Sequence, residues 1–421
     1  MQTSSGFTSL AEEVIARCQK LASFSEDAAG TRRTFLSAPM RDCHREVSSW
    51  MKALGMTVSV DAVGNLRGVY AGTSPGVPRI MLGSHLDTVP NAGAYDGILG
   101  VVLAVALVES LNGRRLPFGI EVAGFSEEEG VRFGVPFIGS RALVGRLDSE
   151  LLSRKDESGV SVRKAIEDFG LNPDEIPESS LRDDVLGYVE FHIEQGPVLE
   201  NRGCPLAVVE AIVGQGRLEL IFSGRANHAG TTPMHLRRDA LAAAAEWILA
   251  VENVARRTAG LVATVGFIEA KPGATNVIAG EARATLDLRH ASDDVRAQAL
   301  DNLIRRAEAI AATRGTSLKW RTLLNQRAVA MDQFLTDQIE QAIRSAGCEP
   351  HRMASGAGHD AMVLAEKIPA AMVFLRTPGG ISHDPAESVQ LGDVEKALDC
   401  GHHLLMQLAS SAQFLGRTCR A

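Results

Sequence analysis

Three histidines and a run of acids, each set in or just after a short apolar segment, are the residues through which this chain could do chemistry. Arg79–Gly100 carries His85, Asp87 and Asp96 after the apolar run Ile80–Leu82. Ser126-Glu127-Glu128-Glu129-Gly130 follows Gly119–Phe125, His192 and Glu194 alternate within Tyr188–Gly196, and His383 lies in Thr377–Pro385 after Ala371–Leu375. Imidazole and carboxylate suit Zn²⁺ or Mn²⁺ and accommodate Co²⁺ as well. A site of two such ions needs one carboxylate able to bridge them, with His and acid ligands on either side. Asp96 is the natural bridge, and Asp87 would accept the second ring N–H of His85 and fix its tautomer. Taken singly, a histidine is an ordinary core or surface residue and Glu127–Glu129 is a solvated acidic turn. Recurrence at or just beyond the ends of four predicted strands is what points to a metal site, because loops at strand ends are where α/β enzymes keep their chemistry.

The elements that must position these residues can be read from periodicity. Leu10–Ala22 and Cys43–Leu54 are amphipathic helices, and the loop between them carries Arg32, Arg33 and Thr34, read as surface. Thr57–Ala71 alternates as a strand. The Ile80–Leu82 run, the apolar helix Gly97–Val108 and the strand Gly119–Phe125 then form a strand–helix–strand unit, the signature of a covered parallel sheet. Asp148–Asp184 is polar and punctuated, a region of surface helices and loops. From Gly214 the pattern becomes self-contained: strand Leu218–Phe222, the Asn-His-Ala-Gly-Thr-Thr-Pro loop at Asn227–Pro233, helix Arg238–Ala255, strands Val262–Ile268 and Ala282–Leu288, helix Asp293–Thr313 and strand Leu318–Arg321. Helices at Asp332–Ala346, at Asp360 onward and at Asp393–Leu408 follow. The expectation is an α/β protein. A larger catalytic domain, 1–213 with 325–421, is built on a mixed, mostly parallel sheet covered by helices, and a smaller α/β sandwich, 214–324, is inserted in it.

Composition narrows the partners. With 421 residues, 45% hydrophobic content and a net charge of −8 without a basic stripe, the chain matches neither a nucleic-acid nor an anionic-membrane binder. Its longest apolar segment, Gly97–Val108, is shorter than the ~20 residues a bilayer requires. Met1–Gly6 lacks the basic and apolar regions of a secretory signal. Cys18, Cys43, Cys204, Cys348, Cys400 and Cys419 contain no C-x-x-C pair, so a reducing, cytoplasmic setting is expected.

The ordered strings G-S-H-L-D-T-V (Gly83–Val89) and Y-D-G (Tyr95–Gly97) resemble the dinuclear metallohydrolases of the aminoacylase and carboxypeptidase G2 superfamily. F-S-E-E-E-G-V-R-F (Phe125–Phe133), H-I-E-Q-G-P-V-L-E (His192–Glu200), N-H-A-G-T-T-P, N-V-I (Asn276–Ile278), D-L-R (Asp287–Arg289) and G-A-G-H-D-A (Gly356–Ala361) resemble its amidase branch. That branch contains allantoate amidohydrolases and N-carbamoyl-L-amino-acid hydrolases, and Thr31–Ser37 and Trp50–Met56 look closer to the former.

The resemblance implies two divalent ions, one held by His85, Asp96 and His192 and the other by Asp96, Glu129 and His383. It implies a cis peptide after Asp96. Three consecutive acids leave the register open by one; the family's Glu-Glu pair directly precedes a Gly, which makes Glu128 the base, Glu129 the ligand and Glu127 an outward-facing extra. His228 would stabilise the oxyanion from across a homodimer interface formed by the inserted domain. Arg289 and Asn276 would bind a substrate carboxylate, and Gln195 and Gly358 would contact the ureido group, while His359 and Asp360 read as helix caps. Because His228, Asn276 and Arg289 fall in the inserted domain, hinges near Gly214 and Leu324 are expected. The implied activity is cleavage of a ureido C–N bond in a small carboxylate, allantoate first and N-carbamoyl-L-amino acids second. A dipeptidase or aminoacylase, or a non-catalytic carboxylate-binding protein, are the competing readings.

Overall fold

The computed structural model describes residues 6–416, so Met1–Ser5 and Cys419 lie outside the described residues. The chain divides into two compact units, Met1–Glu210 with Met331–Ala421, and Ala211–Ala330.

In the larger unit the sheet is parallel at its centre. Gly119–Phe125, Arg79–His85, Val185–Ile193 and Ala370–Leu375 lie side by side in that order, all pointing the same way. Antiparallel strands extend it on both sides: the Thr57–Val60 and Leu66–Tyr70 hairpin beyond Gly119–Phe125, and Leu206–Ile212 beyond Ala370–Leu375. Every residue of Gly119–Phe125, Val185–Ile193 and Ala370–Leu375 is buried. Burial along their whole length is expected of parallel strands covered on both faces, and Glu121, Glu190 and His192 are the buried polar residues within them.

Helix Ile98–Glu109 is apolar around its whole circumference and buried from Ile98 to Val108, packed against the central strands and the helices Thr8–Ala22 and Leu391–Ser410. It anchors the loop that carries Asp96. No helix among the described residues is long and apolar enough to cross a membrane.

The stretch expected as one strand, Thr57–Ala71, is two, because Asp61 organises a turn: its Oδ1 accepts the N–H groups of Val63 and Asn65. Helix Ala38–Ala53 starts earlier than its apolar periodicity, at the Ser37 cap with Pro39 in the first turn. Strands Leu206–Ile212 and Arg352–Ser355 and helix Ile138–Leu143 have no counterpart in the sequence reading.

The smaller unit runs strand Gly214–Ser223, helix Ala240–Arg257, strands Val262–Lys271 and Glu281–His290, helix Asp293–Thr313 and strand Ser317–Gln326. Its four strands pair antiparallel in the order fourth, first, third, second, a ferredoxin-like βαββαβ arrangement. Leu218, Leu220, Phe222, Trp247 and Leu303 belong to its separate core.

Candidate metal and active site

The C-terminal ends of the four parallel strands deliver the candidate residues to one place. His85 ends its strand, Glu128 and Glu129 follow Phe125, His192 is next to last in its strand, and His383 lies on the loop after Leu375. In the larger unit His85, Asp96 and His192 form one cluster and Asp96, Glu129 and His383 a second, with Asp96 common to both.

The tautomers show what these clusters can hold. His85 Nδ1 lies 2.9 Å from the Asp87 carbonyl and His192 Nδ1 lies 2.9 Å from the Ile193 carbonyl. A carbonyl only accepts, so each Nδ1 carries the proton and each Nε2 presents a lone pair. Those two Nε2 atoms face each other at 3.4 Å, with Asp96 Oδ1 3.3 Å from one and 3.9 Å from the other. Three lone-pair donors converging in a buried site repel unless a cation lies among them, so the residues fit a metal ion.

Burial disfavours a charged His85, but Asp87, Glu128 and Asp96 outweigh it and raise its pKa well above the ordinary value. His192 is pushed down to about 4 by burial. On the other side of Asp96, His383 Nε2 lies 3.0 Å from Oδ2 and 3.4 Å from Glu129 Oε1. Those two carboxylates push His383 up to about 10. Burial works against ionised Asp96, yet His383, His192 and His85 together hold it below the usual carboxylate range.

Glu128 is buried, and burial followed by the charge of Glu129 raises it well above an ordinary glutamate. Its backbone N–H and that of Glu129 are both received by the Asp87 carboxylate, at 2.9 and 3.0 Å. Asp87 thus orients His85 through its carbonyl, not its side chain, whose nearest oxygen is 3.6 Å from Nδ1 and too far to bond. The carboxylate organises the acidic turn instead.

Other expectations need correction. Glu127 does not face outward: it is fully buried, because the turn runs under the Phe35 segment, held there by Arg132, whose N–H donates to Glu127 (3.3 Å) and whose guanidinium donates to the Phe35 carbonyl (2.8 Å). The Asp96–Gly97 bond is not cis; the one cis bond among the described residues is Lys271–Pro272. Gly97 makes the reversal as a γ-turn at φ +67°, ψ −50°, with Ile98 N–H donating to the Asp96 carbonyl at 2.7 Å.

His359 and Asp360 do not cap their helix with side-chain bonds. His359 stands edge-on to His192, ring centroids 4.4 Å apart, and pairs with Ser355, while Asp360 accepts from Ser140. Arg33, read as surface, is fully buried and donates to the carbonyls of Leu86, Leu21 and Phe24. A charged loop residue with no sequence neighbour to pair it carries no periodic signal of that burial.

Gln195, at φ +58°, donates its amide to both oxygens of Asp96 at 3.0 and 3.1 Å, and its own Oε1 is buried without a partner among the described residues. Gly358 lies against Phe137 and Met362.

In the smaller unit, Asn227-His228 pairs with Val277-Ile278, and Ala229 N–H donates to the Asn276 carbonyl, so His228 and Asn276 share one exposed ribbon. His228 Nδ1 accepts from Gly230 N–H at 3.1 Å, which places the ring proton on Nε2. Arg289 stands near the far end of its strand in an ion pair with Asp287.

Two clusters of His and carboxylate that share Asp96 at the ends of parallel strands fit a site of the metallohydrolase type. Residues 81–407 match the peptidase family M20/M25/M40, and the chain belongs to that family. It is 39% identical over 387 residues to an N-carbamoyl-L-amino acid amidohydrolase of Geobacillus stearothermophilus, covering 91% of this chain and 95% of the relative. It is 37% identical over 421 residues to a probable allantoate deiminase of Oryza sativa subsp. japonica, covering 91% and 86%. Among solved structures, an amidase of the hydantoinase/carbamoylase family from Burkholderia multivorans superposes with a TM-score of 0.90 at 30% identity, covering 95% of this chain and 98% of that one. The chain is accordingly a hydrolase acting on C–N bonds.

Proposed function

We propose that this chain is a metal-dependent amidohydrolase cleaving the linear ureido C–N bond of a small carboxylate. Allantoate is the first substrate, yielding ureidoglycine, ammonia and CO₂, and N-carbamoyl-L-amino acids are the second. The observation that carries this reading is the meeting of the His85 and His192 lone pairs on Asp96, with His383 on its other oxygen and Glu129 beside His383. His85, Asp96 and His192 would hold one ion and Asp96, Glu129 and His383 the other, Zn²⁺, Mn²⁺ or Co²⁺ all suiting such donors. Bound there, divalent ions supply Lewis acidity, making water ionisable near neutral pH and polarising the ureido carbonyl.

The chain's own residues do the rest. Glu128 takes the proton of the attacking water and passes it to the leaving nitrogen. Asp87 aims that glutamate through the backbone of the acidic turn. The unpartnered Gln195 Oε1 is an acceptor matched to ureido N–H groups, and the Gly358 backbone adds a further contact. His228 donates Nε2–H to the oxyanion, and Arg289 and Asn276 hold the carboxylate.

The ribbon bearing His228 and Asn276 springs from the Glu281 end of the strand on which Arg289 stands near the other end, and eight residues at ~3.4 Å each separate Glu281 from Arg289 by roughly 27 Å. That separation supports a homodimer in which His228 and Asn276 serve a partner's substrate. Exposed Leu249, Val262, Phe267, Ile268 and Trp320 give the smaller unit apolar surface suited to such an interface. The five described cysteines are free, as suits a cytoplasmic setting.

A panel of allantoate, ureidoglycolate, N-carbamoyl-amino acids and dipeptides, offered after reconstitution with Zn²⁺ or Mn²⁺, tests the reading. Release of ammonia and CO₂ from ureido substrates is expected. Hydrolysis of dipeptides alone would move the chain to the dipeptidases, and absence of bound or activating metal would sink the mechanism.

A further inference from the structure

The loop that carries Asp96 and the loop that carries His383 are fastened to each other by Glu387, a buried residue with no part in the roles above. One of its oxygens accepts the N–H of Tyr95 at 2.8 Å and of Asp96 at 2.9 Å. Its other oxygen faces Ser382 Oγ at 3.2 Å, and that hydroxyl also stands 3.4 Å from Asp96 Oδ2. Glu387 N–H closes a turn onto the Asp384 carbonyl at 3.0 Å, which aims the side chain back at the Asp96 loop. The approach is close enough to require glycine opposite it. A Cβ on Gly93 would come 2.4 Å from Glu387 Cβ and 2.9 Å from its Oε1.

A buried carboxylate is costly unless charge-assisted hydrogen bonds satisfy it, and here those bonds are two main-chain amides of one ligand loop and a hydroxyl of the other. Ser382 and His383 are adjacent, as are Tyr95 and Asp96. The clamp therefore acts on the pair of residues, Asp96 and His383, whose 3.0 Å approach defines the outer cluster. The inner cluster has anchors of its own, the Asp87 and Ile193 carbonyls on His85 and His192.

We propose that Glu387 is a positioning residue that holds the Asp96 and His383 loops in register and thereby governs the affinity of the outer of the two ion sites more than that of the inner one, whose two histidines have anchors of their own. This rests on the two-ion reading above. Partners that orient ligands from behind commonly govern metal affinity 10- to 100-fold.

The test is equilibrium dialysis of chelator-stripped, refilled protein against graded free Mn²⁺ or Zn²⁺, with ions per chain counted by elemental analysis and folding followed by circular dichroism. Wild type should hold two ions. E387Q keeps an oxygen for both amides and a donor for Ser382, and should match wild type within about threefold. E387A and E387D, which cannot span the gap, should weaken the outer ion by about 10- to 100-fold and the inner ion, which also uses Asp96, by clearly less. Should E387A not fold, E387D decides.

Two wild-type-like ions in both short variants, equal weakening of both ions, or an E387Q as impaired as E387A would overturn the clamp while leaving the two-ion reading intact. A wild-type chain without tightly held ions would overturn that reading, and the clamp with it.

Discussion

Glu128 and Glu127 are neighbours in sequence, both buried, and separated by what they face. Glu128 lies with His85 and Glu129, whereas Glu127 is turned toward Arg132 and the Phe35 segment. Replacing Glu128 by Gln preserves shape and hydrogen-bond reach but removes the proposed proton acceptor. Turnover is expected to fall about 10²- to 10⁴-fold with bound metal unchanged, measured by kcat and elemental analysis on the same sample. E127Q should retain most of its turnover and lose stability instead; the reverse pattern would shift the base by one residue. At this scale the sequence was most legible where a residue's chemistry is its own, as with His85, Asp96, Glu129, His192 and His383, which the fold brings into two clusters sharing Asp96. It was least legible where a residue's part depends on main-chain atoms of distant segments. Arg33, bound to the carbonyls of Leu21, Phe24 and Leu86, and Glu387, bound to amides nearly three hundred residues away, have no local pattern that marks them.

Elements enter through how rigidly they present those residues. Asp96 is delivered by a γ-turn at Gly97 into a helix buried on all sides, so the turn cannot relax by moving the helix. A Cβ at Gly97 would lie 2.4 Å from three atoms of the His85 ring, and its φ of +67° is one that side chains rarely adopt. G97A should therefore displace His85, lower the melting temperature by several degrees and reduce bound metal, as read by thermal melts and metal analysis. G76A isolates the backbone part of that effect, since Gly76 has φ +76° with open space around its Cβ. It should cost about 1–2 kcal/mol of stability, with metal content unchanged. If both variants kept full metal content, the γ-turn would not be what places Asp96 against His85. The long helices and the central strands were legible in the chain because their apolar positions recur over many residues and are bounded by breakers. The hairpin at Thr57–Tyr70 and the strand Leu206–Ile212 were not, since a polar turn inside an alternating stretch and a short apolar run each fit more than one structure.

For the molecule as a whole, the arrangement of the smaller unit makes a claim about copies of the chain. His228 and Asn276 share one ribbon, and Arg289 stands near the opposite end of the strand that the ribbon meets, so under the proposed function a small carboxylate held by Arg289 would be served by the His228 of a second copy. H228A and R289A should each be nearly inactive as pure dimers, because every site then lacks one contact. Mixed by co-expression, half the dimers are heterodimers. In each of these one site joins the intact Arg289 of the first chain to the intact His228 of the second, while its companion site lacks both. Activity is then expected to return to about a quarter of wild type, with substrate affinity at the restored sites like that of wild type. If each chain completed its own site, the mixture would show no more activity than the two variants measured apart, and the dimer would have to be explained by stability alone.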